Sequence, residues 1–168
     1  MPSFRTTRRV RHSAADMFDL VADVEAYPKF LPLCQGLRLR RRITDDRGLE
    51  VILAEMEVGY RAIRETFTSR VTLDRANLSI LVEYVEGPFQ KLENRWTFRD
   101  DDKGSPACNV EFFIDYEFRS RTLGLLMGSM FDTAFRKFSE AFEKRADYVY
   151  GRSRPTIAPP KPAPAEEA

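Results

Sequence analysis

A chain of 168 residues, 43% apolar and 32% charged, is long enough to bury a real core and too apolar for a disordered polymer. Its 27 Lys and Arg against 26 Asp and Glu leave a net charge of +1, so global basicity gives no argument for nucleic acid and only local patches can. Cys34 and Cys108 lie far apart, form no metal-ligand pair, and suit a reducing compartment.

The N-terminal MPSFRTTRRV is basic, but no apolar h-region follows, so no secretory signal is expected. Phe4 to Arg11 alternates as a strand does. Ser13 is placed to cap a helix at Asp16, with Asp16 returning the bond; that helix buries Met17, Phe18, Leu20 and Val21. A second short turn runs from Val24 towards Tyr27, where Pro28 restricts it. The next stretch, Tyr27-Pro-Lys-Phe-Leu-Pro-Leu-Cys34, is apolar yet carries two prolines, which forbid a regular helix or central strand. It reads as a stiff apolar lid whose Tyr27, Phe30, Leu31 and Leu33 face a ligand, a neighbour, a membrane or simply the core end.

From Gly36 to Ser120 the period becomes two. Leu37 to Ile43 turns at Asp45-Asp46-Arg47-Gly48 into Leu49 to Val58, and Gly59 precedes a run to Leu73. Asp74 to Asn77 turns into Leu78 to Glu86, Gly87-Pro88 breaks that strand, and Phe89 to Phe98 follows. A polar stretch then leads to Ala107 through Phe118. With the first strand this makes about seven, joined as a meander, so the sheet is antiparallel. Arg38, Arg40 and Arg42 fall on one strand face as a candidate anionic-surface contact, against the plainer reading of a solvated face neutralised by acidic neighbours.

Leu123, Leu126, Met127, Met130, Phe131, Ala134, Phe135, Phe138, Ala141, Phe142 and Val149 recur at helical spacing. One amphipathic helix over Arg121 to Tyr150 would span roughly 45 Å. The apolar run Leu123 to Phe131 is interrupted by Gly124, Gly128 and Ser129 and falls short of the roughly 20 residues a membrane span needs. Residues 151–168 hold five of the ten prolines and are expected to be a disordered Pro/Ala-rich tail beyond a domain of residues 1–150. Strand, short helices, meander, long helix is an α+β order, with the helix burying its stripe on a curved sheet.

Parity assigns the inward faces: Leu92, Asn94, Trp96 and Phe98; Val110, Phe112, Ile114, Tyr116 and Phe118; Ile63, Phe67, Val71 and Leu73. Such faces either pack solid or enclose an apolar cavity. Glu65 and Asn94 are the inward polar groups able to orient a ligand or to be satisfied internally. The lining expected of a cavity is Glu65, Phe67, Asn94, Trp96, Phe112, Ile114, Tyr116, Leu123, Met127, Met130, Phe131 and Phe135, with the 27–33 lid above.

Catalytic machinery is hard to find. The one histidine, His12, is expected to be exposed beside the Ser13 cap. No His/Cys/Asp cluster has metal-ligand spacing, no Gly-rich phosphate loop occurs, and no nucleophile has a partner. Glu65 is the sole inward carboxylate to suspect. Neither catalysis nor a cofactor is expected. The spacing Gly124-Leu-Leu-Met-Gly128 reads as small residues that let the helix approach the sheet or leave room for ligand.

Four blocks, VADVEAYPKFLPLC (21–34), RETFTSRVTLD (64–74), VEGPFQKLENRWTF (85–98) and FFIDYEFRSRTLG (112–124), resemble the coenzyme Q-binding protein family. That family is a branch of the START-like, polyketide cyclase-like superfamily, and the resemblance covers about residues 3 to 148. It implies a helix-grip fold around a hydrophobic tunnel, binding ubiquinone or a related isoprenoid without catalysis in support of respiratory electron transport. With no secretory signal or membrane span expected, a cytoplasmic protein is the default, and delivery of a lipid calls for transient contact at the inner face of the respiratory membrane. Bacterial relatives described as ribosome-association toxins make a ribosome partner the alternative, and aromatic cyclases of the superfamily make an enzyme the second. The sequence carries no signal for oligomeric state.

Overall fold

The computed structural model describes residues 3–60, 62–101 and 106–151; the tail expected to be disordered lies outside the described residues apart from Gly151. The period-two runs become β1 (Ser3–Val10), β2 (Cys34–Thr44), β3 (Glu50–Tyr60), β4 (Ile63–Asp74), β5 (Ser79–Glu86), β6 (Phe89–Asp100) and β7 (Cys108–Phe118). They form one curved antiparallel sheet in the order β1-β7-β6-β5-β4-β3-β2. Neighbours in sequence pair as hairpins, and β1 closes onto β7 with Ser3 opposite Asp115 and Val10 opposite Cys108.

The turns follow from local chemistry. At the β2–β3 turn the amides of Arg47 and Leu49 each donate to the Asp45 carboxylate at 2.9 Å, and Gly48 takes φ 81°, which only a residue without Cβ adopts cheaply. Gly87 between β5 and β6 has φ 145°. A Cβ there would lie 2.5 Å from the Phe67 Cβ, so the turn needs glycine for conformation and for space.

Between β1 and β2 lie α1 (Ala14–Ala22) and a short 3-10 helix (Val24–Lys29) containing Pro28. The Asp16 amide donates to Ser13 Oγ at 3.1 Å, and the Ala14 amide to Asp100 at 2.8 Å, satisfying donors that helix starts leave open. Met17, Phe18, Leu20 and Val21 are buried as their spacing requires.

The C-terminal segment corrects the expectation of one long helix. It is two helices, α2 (Arg121–Arg136) and α3 (Phe138–Tyr150), broken at Lys137. Lys137 has φ −98° and ψ −1°, and its amide donates to the Ala134 carbonyl at 3.0 Å, a tightened bond of 3-10 type. Two members of the supposed stripe fall off it: Leu126 and Val149 are exposed. The sequence period is continuous, but the helix is interrupted at Lys137.

His12 is also corrected. It is only 4% exposed, with Nε2 2.7 Å from an Asp147 carboxylate oxygen, and Tyr150 donates to the Asp16 carbonyl at 3.1 Å. These contacts fasten the end of α3 to the β1–α1 junction. The inner face of the sheet is buried as parity requires: Leu92, Trp96 and Phe98 on β6, with Val110, Phe112, Ile114 and Tyr116 on β7.

Candidate functional site

Large side chains on the sheet and helices give way to small ones at one place. Ala54 on β3 stands directly opposite Ser69 on β4, and Ala134 on α2 faces the same space. All three are buried. Where two small residues pair across strands and a third caps them from a helix, nothing fills the middle. The result is an internal cavity of about 90 Å³.

Its walls come from the sheet, from both C-terminal helices and from a lid, with Leu37 of β2 and Val82 of β5 contributing at the sides. β3 gives Ala54, Met56 and Val58; β4 gives Phe67, Ser69 and Val71; β6 and β7 give Leu92, Asn94, Trp96 and Ile114. α2 and α3 give Phe131, Ala134, Phe135, Phe138 and Phe142. Val24, Tyr27, Leu31, Pro32 and Leu33 close the top. The lid is held by edge-on rings: Tyr27 and Phe30 lie 5.3 and 5.1 Å from Phe142, itself 5.0 Å from Trp96. Leu33 adopts φ 67°, a left-handed backbone unusual for a branched side chain. Its carbonyl accepts the Gly59 amide at 3.0 Å, tying the lid to β3. Of the two lid rings, Tyr27 faces the cavity and Phe30 packs on it.

Of the expected lining, the structure brings together Tyr27, Leu31, Leu33, Phe67, Asn94, Trp96, Ile114, Phe131 and Phe135. Phe30 packs outside them on Tyr27 and Phe142, with the Arg145 guanidinium 5.3 Å from its ring. Glu65 is half-buried on β4 and off the cavity wall. Phe112 lies behind Trp96, 4.7 Å away. Tyr116 lies behind Phe135, 4.9 Å away, and Met127 is wholly buried in the core. Leu123 and Met130 pack against the core's margin. The β3 residues Ala54, Met56 and Val58 are the main omission. Their alternation was readable by the same parity, and the small Ala54 was the clue.

Asn94 and Tyr27, two of the polar side chains in the wall, are already partnered. Asn94 donates to the Phe113 carbonyl at 2.8 Å and accepts from Trp96 Nε1 at 2.9 Å, so it serves the indole rather than standing ready for a ligand. Tyr27 donates to the Val21 carbonyl, and burial pushes its phenol far above the ordinary range. Cys34, beneath the lid, is pushed up to about 11 by burial, and Cys108 to about 12 by burial and the nearby Asp100. Both thiols are therefore held protonated and poorly nucleophilic. No carboxylate, imidazole or ammonium lies among the described lining residues, and no group of metal ligands assembles among the described residues.

The space as it stands is small. Small-molecule sites usually hold about 300–1,000 Å³, and an apolar void of about 150 Å³ is what benzene needs. The space is too small for a prenylated quinone, and anything larger enters only when a wall moves.

The arginines of β2 do not form the expected single face. A bulge between Leu39 and Arg41 breaks the alternation. Arg38 stands opposite Glu55, while Arg42 stands opposite the buried Ile52. Arg40 pairs with Glu55 and Arg42 with Glu50. Two of the three charges are thus spent on β3 carboxylates.

Comparison with known proteins places this architecture. The chain is 37% identical over 150 residues to the ribosome association toxin RatA of Escherichia coli strain K12, covering 89% of this chain and 90% of that one. It is 31% identical over 147 residues to the mitochondrial coenzyme Q-binding protein COQ10 homolog B of Xenopus laevis, covering 87% and 58%. Among solved structures, an 18 kDa protein of Caulobacter crescentus matches with TM-score 0.71 at 34% identity, over 90% and 99% of the chains. A START superfamily protein of Mycobacterium smegmatis matches with TM-score 0.71 at 22% identity, over 88% and 98%, which speaks for the fold alone. The model of the polyketide cyclase / dehydrase and lipid transport family matches residues 10–143. A cavity gripped between a curved sheet and C-terminal helices, on a chain matched over that length, makes this protein a member of the polyketide cyclase / dehydrase and lipid transport family.

Proposed function

We propose that the chain binds ubiquinone or a related isoprenoid lipid between the sheet and the C-terminal helices, as a non-catalytic carrier or chaperone supporting respiratory electron transport. The observation that carries this reading is the apolar void between sheet and helices, whose described walls carry no carboxylate, imidazole or ammonium. Each methylene of a prenyl tail contributes about 0.8 kcal/mol on burial, so such a site needs no charged anchor. The coenzyme Q-binding relatives support the ligand class. The lipid is cargo, and the reading needs no cofactor. A carrier must also meet the membrane that holds its cargo, so a cytoplasmic protein in transient membrane contact fits best; among the described residues no helix is long and apolar enough to cross one.

The test is mass analysis of organic extracts of the protein purified from its native host. A quinone or other isoprenoid at near-stoichiometric amount is expected; repeated recovery of empty protein overturns the reading.

A second reading, inhibition of ribosomal subunit association, is favoured by the 37% identity to RatA over nearly the full chain. It needs basic groups free for RNA phosphates, and Arg40 and Arg42 are already paired. Sucrose-gradient profiles decide: loss of joined ribosomes on overproduction supports it, and unchanged profiles remove it. The aromatase/cyclase neighbours, at 18–22% identity, share the fold and carry no argument for chemistry.

A further inference from the structure

The lid covers the cavity with Tyr27, Leu31 and Leu33, and the large apolar side chains that are exposed lie elsewhere. Leu125 is 80% exposed and Leu126 57% exposed, adjacent on the first turns of α2. Beside them a surface groove of about 370 Å³ runs between the end of β7 and α2. Gly124 and Gly128 form its helical side, and Tyr116 and Phe118 lie on its strand side. These glycines do not bring the helix onto the sheet. A Cβ at Gly128 would meet nothing within 4 Å, and one at Gly124 would make only ordinary contact with Phe118. They keep a trough open.

One layer of rings separates this trough from the internal cavity. Phe118 lies 5.2 Å from Phe131, and Tyr116 lies 4.9 Å from Phe135; Phe131 and Phe135 are cavity walls. The Tyr116 hydroxyl spans the trough to the Gly128 carbonyl at 3.4 Å, long for an O–H···O bond. The break at Lys137 lets α2 shift while α3 stays fastened through His12–Asp147 and Tyr150–Asp16.

We propose that the β7–α2 trough is the lipid portal, docked on an anionic lipid surface by insertion of Leu125 and Leu126. The inference rests on the lipid-binding reading and names where the cargo enters. The charges around the trough suit such a surface. Arg119 and Arg121 are exposed at the start of α2, and Arg136 neutralises Asp132 at 2.9 Å. With Asp132 paired to Arg136, Arg119 and Arg121 at the start of α2 stand against one carboxylate, Glu117. An exposed leucine pair rimmed by arginines at a helix start is the pattern of an interfacial contact. Opening the portal means swinging Tyr116 and Phe131 aside as α2 lifts.

The test compares the full chain with its L125E/L126E double variant, both changes being at exposed positions. Vesicles of three parts phosphatidylcholine to one part phosphatidylglycerol, with and without ubiquinone, are used for flotation and for transfer followed by Trp96 emission. A short-tailed ubiquinone dissolved without vesicles is titrated in parallel. The double variant is expected to lose vesicle binding and transfer rate by about tenfold or more, with quenching by the dissolved quinone unchanged. Wild-type rates of transfer by the double variant overturn the portal alone. Absence of quenching in the wild type by the dissolved quinone overturns the lipid-binding reading and the portal with it. Loss of ribosome sedimentation or of self-association in the double variant, with vesicle binding intact, assigns the leucines to a protein or RNA partner and overturns the portal.

Discussion

Gly87 joins turn chemistry to the cavity wall in one residue. Its φ of 145° and the 2.5 Å approach to Phe67 leave no room for a methyl group. Gly87→Ala is expected to cost about 2 kcal/mol or more, from backbone strain and displaced packing together, read as a lower urea midpoint. Asp45 offers a test by pH. The Leu49 amide first, then the Arg47 amide, holds its carboxyl below the usual range. A carboxyl lowered by folding stabilises the fold above its unfolded value and loses that contribution as pH falls through its folded value. The stability advantage of wild type over Asp45→Ala is therefore expected to be flat above about pH 5 and to shrink in acid; an advantage that grows in acid would refute the assignment.

At the scale of elements, the two C-terminal helices divide the work. α3 is latched at its far end, while α2 carries the exposed leucines and the trough. Asp147→Ala leaves His12 buried without its 2.7 Å partner, and an unsatisfied buried polar group costs about 1–3 kcal/mol. The expected result is that loss in urea melts together with faster amide exchange in α3; exchange unchanged in α3 would mean the latch holds nothing. The sequence made the helical stripe legible because Phe131, Phe135, Phe138 and Phe142 keep their spacing. It concealed the break because the interruption at Lys137 needs no proline or glycine. His12 was misjudged for a related reason. Its burial depends on Asp147, 135 residues away, and no local pattern brings those two together.

At the scale of the molecule, strands and their inward parity were legible because alternation encodes the buried face directly. Phe67, Asn94, Trp96 and Ile114 line the cavity from the face that alternation assigns them. What alternation does not encode is depth. Phe112, Tyr116 and Met127 point inward yet lie a layer behind the wall, because a void forms where side chains are small. Ala54, Ser69 and Ala134 define the space, and a search for large residues passes over them. The same three residues account for a cavity too small for its proposed cargo. The fold reserves a seed of apolar space, and a moving wall must supply the rest.

That claim has a reporter built in. Trp96 is the single tryptophan, and it lines the cavity. Titrating a short-tailed ubiquinone while following Trp96 emission is expected to give saturable quenching in the wild type. Ala134→Leu, which fills the seed, is expected to weaken that quenching about tenfold while stabilising the empty protein by about 0.5–2 kcal/mol. Equal quenching in the two proteins, or none in either, would contradict the account.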